Sequence, residues 1–138
     1  MFPLPYSNTF NTNLIIYSKY IQLSKNIIKK IEEINNLENE EINSTLEQTD
    51  LIKKLTVLIE SFKNKKEHTP ATFTLMLSNL SDILEIINNN LTELFENGNY
   101  YQSRYFNSVR YITYRELLEK IVKNNTIFNE RIQFIVKL

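Results

Sequence analysis

The stretch TPATFTLMLSNLSDILEIINNNLTELFENG, residues 69–98, decides the fold. Phe73, Met76, Leu77, Leu80, Ile83, Leu84, Ile87, Leu91, Leu94 and Phe95 recur every three or four positions. That spacing puts side chains on one face of an α-helix. The helix also carries a start and a stop signal. Thr69 is a capping residue, and Pro70 suits the first helical position, where its missing N–H costs nothing. At the far end Asn97 precedes Gly98, the chain's single glycine, at the place where a left-handed C-terminal cap favours one. Residues 70–97 would span about 42 Å at 1.5 Å per residue. A rod of that length is long for a domain of 138 residues, so the helices are expected to pack as an elongated bundle.

Upstream, Ile16, Tyr20, Leu23, Ile27, Ile31 and Ile34 keep the period of a straight amphipathic helix running from Asn13. The stripe fades in NNLENEEINS. There Ser44, three residues before Glu47, reads as a capping box that opens a second helix. Glu38, Glu40 and Glu41 precede that start, where the positive end of the helix dipole favours them. The second helix turns Leu51, Leu55, Leu58, Ile59 and Phe62 toward the core and ends in KNKKEH. A local account of Lys63, Lys65 and Lys66 suffices, because cations are favoured at a helix C-terminus. In residues 1–12, Phe2, Leu4, Tyr6 and Phe10 alternate with polar residues or proline. This pattern predicts an extended N-terminal arm lying across a partner or across the bundle itself.

Downstream, NYYQSRYFNSVRYITYRE (99–116) opens a fourth helix, expected over residues 100–123. Its apolar face changes sides near Thr113. Tyr101, Tyr105, Val109 and Ile112 lie on one side, while Leu117, Leu118, Ile121 and Val122 lie roughly opposite. Either the helix breaks there, or one helix packs first on one neighbour and then on another. Glu116–Lys120 and Glu119–Lys123 are i,i+4 pairs in the favourable order, the mark of a solvated face. Along the flank run Tyr100, Arg104, Tyr111 and Arg115. Residues 100–138 hold seven basic and three acidic side chains, a local net of +4. In NNTIFNERIQFIVKL (124–138), Thr126 can cap a short fifth helix carrying Ile127, Phe128, Ile132 and Ile135. Residues 132–138 also read as a strand, but no second strand is present to pair with it, so helix is the expectation. The apolar end must be buried on the chain's own bundle or on a partner.

The predicted architecture is therefore all-α. It is an elongated, mainly antiparallel bundle of four long helices plus a short C-terminal helix, occupying residues 13–138 as one domain after an arm over residues 1–12. The connections at 38–44, 64–69 and 98–100 are short, which favours antiparallel neighbours.

Composition narrows the chemistry. Sixteen basic and sixteen acidic residues leave no net charge to steer the chain toward nucleic acid or an anionic membrane. With no cysteine there are no disulfides, thiol nucleophiles or cysteine metal sites. The N-terminus lacks the basic start and apolar run of a signal peptide. No window approaches the ~20 apolar residues of a membrane span. A soluble, intracellular, cytoplasmic protein is the expectation. Asparagine abundance, with a single alanine at Ala71, points to a skewed coding composition more than to mechanism.

Catalysis needs a nucleophile, a proton shuttle or a metal. The only histidine, His68, stands alone in a lysine-rich connection. One glycine cannot build a phosphate-cradling loop. Glu32/Glu33 and Glu40/Glu41 are adjacent and diverge on a helix, and Asp82 and Glu85 fall on its polar face. A non-enzyme without metal or cofactor is expected. The leading expectation is a protein–protein interaction module: a small helical adaptor or a subunit of a larger assembly. Phe2, Leu4, Tyr6, Tyr100, Arg104, Tyr111 and Arg115 are its contact residues, since Tyr and Arg are enriched at interface hot spots. An acidic partner, or the acidic segment Glu32–Glu41 of a second copy, would suit the arginines. The same Tyr/Arg flank can stack on unpaired bases, which makes an RNA-contacting peripheral subunit of a ribonucleoprotein the alternative. A helical inhibitor or immunity-type protein is a third.

Overall fold

The computed structural model describes residues 5–63, 71–102 and 108–136, and their side chains over 15–62, 74–97 and 114–134. The described residues are almost wholly helical and contain no strand. They form α1 (Pro5–Asn35), α2 (Glu40–Thr49), α3 (Leu51–Lys63), α4 (Ala71–Gln102) and α5 (Ser108–Val136). The all-α expectation holds. No described helix is long and apolar enough to cross a membrane.

The period-3.6 stripes make the core. Leu77, Leu80, Ile83, Leu84, Ile87, Leu91 and Leu94 of α4 are buried. They cluster with Tyr20, Ile27, Ile31 and Ile34 of α1, with Leu51, Leu55, Leu58 and Phe62 of α3, and with Leu117, Leu118, Ile121 and Phe128 of α5. Each such side chain taken from water is worth about 1.5–3 kcal/mol. α4 packs against both α1 and α5, α1 packs on α3, and α2 touches α1 and α5.

Contacts give the direction of each pairing. Lys19 pairs with Glu85, and Lys30 lies over the Phe95 ring, so residue numbers rise together along α1 and α4. Tyr20 meets Phe62 while Ile31 lines a groove with Leu51, so α1 and α3 run oppositely. Tyr114 bonds Asn39 and Glu41, and Lys54 bonds Asn125, so α2 and α3 both follow α5 in the same direction.

Several boundaries differ from the expected ones. α1 already begins at Pro5, so residues 5–12 are helical rather than an extended arm. Tyr6 and Phe10 are four apart, a spacing that serves a helix as well as an alternating strand, and proline is at home in a first turn. Phe2 and Leu4 lie outside the described residues. The second helix starts at Glu40, not Ser44. Asn39 is its cap, and its Oδ1 accepts from the Ile42 N–H at 3.0 Å. It is also two helices, divided at Asp50, whose φ of 55° is left-handed.

Asn97–Gly98 does not stop α4, which runs on to Gln102, and no described glycine has positive φ. Thr126 does not cap a new helix. Its hydroxyl donates to the Val122 carbonyl inside α5, which continues unbroken past Thr113 to Val136. The expected fourth and short fifth helices are thus one long helix, and the strand alternative for the C-terminus falls for residues 132–136. Of the expected connection 64–69, nothing lies within the described residues.

The core contains an unpaired hydroxyl. Tyr20 is fully buried, its ring tilted 59° to Phe62 at 5.5 Å. Ser24, one turn along, is near enough to offset a little of the rise that burial imposes on its pKa, yet neither hydroxyl has a hydrogen-bond partner. Burial holds the Tyr20 phenol well above its ordinary value of 10.0. Its folded-state pKa is raised, so the fold loses stability as pH climbs past 10.0, where the unfolded chain ionises and the buried phenol does not.

Both the buried phenol and the helical glycine are open to stability measurements. Tyr20→Phe removes an orphaned polar atom and should leave stability at pH 7 equal or higher. It should also flatten the loss of stability above about pH 10, measured by urea unfolding across pH. Because Gly98 adopts helical rather than left-handed backbone angles, Gly98→Ala should stabilise the chain by about 0.5–1 kcal/mol. A left-handed Gly98 would give a loss instead.

Candidate interaction surface

Three features stand out among the described residues, two between pairs of helices and the third where three helices come together. The first lies where α2 meets α5. The Asn39 cap is shared: its Oδ1 also accepts from Tyr114 Oη at 3.0 Å, and the same hydroxyl reaches Glu41 Oε2 at 3.3 Å. Arg115 Nη2 is 3.4 Å from Glu41 Oε1. Beside them runs a groove of about 370 Å³ lined by Thr45, Leu118, Glu119, Val122 and Lys123 as well as Glu41 and Arg115. Glu116, Glu119, Lys120 and Lys123 sit toward solvent, as the i,i+4 pairs predict, with Lys123 and the others on the open side of α5.

The second feature joins α3 to α5. Lys54 Nζ donates to Asn125 Oδ1 at 2.7 Å and to Asn129 Oδ1 at 2.6 Å, and stands 5.7 Å from the Phe128 ring centroid. Burial pushes the Lys54 ammonium below its ordinary pKa, partly opposed by the Asp50 carboxylate. The amide oxygens supply what water would, and Asn125 is itself buried. This is a structural strap, because a lysine that is committed to two acceptors presents no free amine.

The third feature is apolar. Ile15 (67%), Phe134 (65%) and Leu75 (64%) are the most exposed large hydrophobic side chains described, ahead of Val57, Ile86 and Val122. They share one end of the molecule. α1 and α4 both start there, and Arg131 Nη1 donates to the Asn79 carbonyl at 2.6 Å, which brings the last turns of α5 beside the first turns of α4. By that register the three lie within about 9 Å of each other along the helix axes.

The predicted contact residues whose backbone is described divide between the two ends of the molecule. Tyr6 belongs to the first turn of α1, at the apolar end. Tyr100, in the last turns of α4, and Tyr111, in the first turns of α5, belong to the opposite end. The side chains of all three, and all of Phe2, Leu4, Arg104 and His68, lie outside the described residues. Arg115 is exposed, but the acidic group that meets it is Glu41 of its own chain. Among the described residues no three His, Cys, Asp or Glu side chains gather as a metal site would need. Sequence reasoning missed Tyr114, which packs its ring inside and spends its hydroxyl on α2. Of the two covers expected for the apolar C-terminal end, the chain's own bundle does not supply one for Phe134, which is exposed.

No family model matches the chain, and no curated protein or solved structure is significantly similar to it.

The Lys54 strap is testable. Lys54→Met leaves the buried Asn125 amide without its donor and should cost about 1–3 kcal/mol. Lys54→Met with Asn125→Leu should cost less than the sum of the two single changes. Additive losses in a denaturation cycle would mean that the two side chains are not coupled.

Proposed function

We propose that the chain is a non-catalytic protein–protein interaction module, a small helical adaptor or subunit of a larger assembly. We further take it to be one elongated bundle, mainly antiparallel in its consecutive helices. The supporting observation is the apolar end. Isolated exposed hydrophobic residues are ordinary on any surface. Here, however, the three most exposed share one end, beside a C-terminal helix whose sequence continues Phe134, Ile135, Val136. Aromatic and aliphatic anchors of that kind are what a partner's pocket takes up. Arg115 contributes less than the sequence suggests, because Glu41 already neutralises it. That pairing also weakens the alternative of an RNA-contacting subunit, which needs its arginines for phosphate.

Recovery of the full chain from its native source, with mass spectrometry of what accompanies it, identifies the partner. Leu75→Asp with Phe134→Asp should then abolish that association while leaving helicity and unfolding midpoint within experimental scatter, because both side chains are solvated. Arg104→Glu with Arg115→Glu tests the flank at the other end. Loss only with the arginine pair, a steep decline of binding with salt and a shift with single-stranded oligonucleotide would overturn the protein reading in favour of RNA.

A further inference from the structure

The helical path of α2 and α3, which run the same way along α5, is interrupted at one residue. Asp50 is exposed and carries the left-handed angles φ 55°, ψ 26° between two helices. Its N–H donates to the Glu47 carbonyl at 3.0 Å, and its own carbonyl accepts from the Lys54 N–H at 3.0 Å. It therefore closes α2 and opens α3 with no intervening residue. Glycine takes this conformation without steric cost, whereas an L-residue with a Cβ is strained there, aspartate less than most. Returning residue 50 to right-handed angles would merge 40–63 into one rod about 36 Å long. The same rotation, of more than about 100° in φ, must carry everything before Asp50 away from everything after it.

The contacts severed by that rotation join two halves of the chain. Lys19 meets Glu85, Tyr20 meets Phe62, Lys30 covers Phe95, and Asn39 and Glu41 hold Tyr114 and Arg115. In each pair one residue precedes Asp50 and the other follows it. A second copy opened at the same hinge offers the same complementary half, so each of these contacts can be remade between chains with unchanged chemistry. We propose that the chain can exchange its N-terminal part, α1 with α2, with a second copy of itself, and that Asp50 is the hinge. Relief of two left-handed aspartates favours the exchanged dimer. The lost freedom of joining two chains opposes it. The balance therefore depends on concentration and on the residue at position 50. This inference does not rest on the proposed partner surface, since Leu75 and Phe134 take no part in the hinge or in these contacts.

The absence of cysteine makes the test direct. One chain carries Lys19→Cys and the other Glu85→Cys, positions exposed and adjacent in the fold. The two are unfolded, refolded together and treated with a short bis-maleimide. In the Asp50→Ala background, where the left-handed form is penalised and the helix favoured, sedimentation should show a dimer and the cross-link should join the two different chains. In the Asp50→Gly background dimerisation should be weaker than in Asp50→Ala, on the order of a thousandfold or more, because both hinges of the dimer contribute. A single Asp50→Gly chain carrying both cysteines should cross-link internally, which confirms the native α1–α4 contact. Should Asp50→Ala not refold, unmodified Asp50 takes its place and must still dimerise more tightly than Asp50→Gly. Persistent monomer at millimolar chain, a dimer without the 19–85 link between chains, or dimerisation undiminished by Asp50→Gly would each overturn the proposal.

Discussion

The structure depends on one constraint, that the apolar stripe of α4 must be covered on two sides at once. Seven of its leucines and isoleucines are buried, from Leu77 to Leu94, a run that no single neighbour of ordinary width can shelter. α1 takes one side and α5 the other. Because α1 and α4 run the same way, the chain must travel back between them, and α2 with α3 is that return path. The path also closes the core, with Leu51, Leu55, Leu58 and Phe62 laid against α1. Beyond α4 a short connection is enough, since α5 returns directly along it.

Polar groups are arranged around this apolar frame with uneven care. At the α2–α5 contact a single amide oxygen, Asn39 Oδ1, caps a helix and receives Tyr114. Lys54 is satisfied by two asparagines, and Arg131 by a backbone carbonyl. By contrast, Tyr20, Ser24 and Ser81 bury hydroxyls without partners. An orphaned hydroxyl inside costs free energy that a phenyl or methyl group would not. Such groups mark the α1–α4 interior as held by apolar contact rather than by hydrogen bonding. Of the charges that sequence alone would assign to a partner, Arg115 is met at home by Glu41, and Lys19 likewise pairs with Glu85 across α1 and α4.

The helices themselves were legible because Ile, Leu and Phe repeat at the helical period, and that pattern records burial directly. Their ends were less so. Ser44 and Asn39 are both sound N-caps, and in a chain crowded with asparagine the choice between them rests on Tyr114, 75 residues from Asn39. Gly98 and Thr126 carry the local chemistry of a stop and a start, yet each lies inside a helix. Packing of α4 and α5 against each other outweighs a preference of about 1 kcal/mol. Asp50 is the converse case: nothing local announces a break in a continuous apolar stripe. The Tyr/Arg flank showed why contacts distant in sequence escape such reasoning. A surface arginine looks the same whether its acid belongs to another molecule or, as for Arg115, to another helix of the same chain.

The parallel seating of α1 on α4 is the most direct point of attack, since every other placement depends on it. Spin labels at Lys29 and Glu93 should be close, whereas labels at Lys29 and Asp82 should be farther apart, because about eleven helical residues displace Asp82 from Glu93 by roughly 16 Å along the axis. Pulsed dipolar spectroscopy of the two doubly labelled chains measures this. A shorter distance for 29–93 than for 29–82 is the predicted order. The reverse order would mean that α1 runs against α4, and the shared-wall account would fail with it.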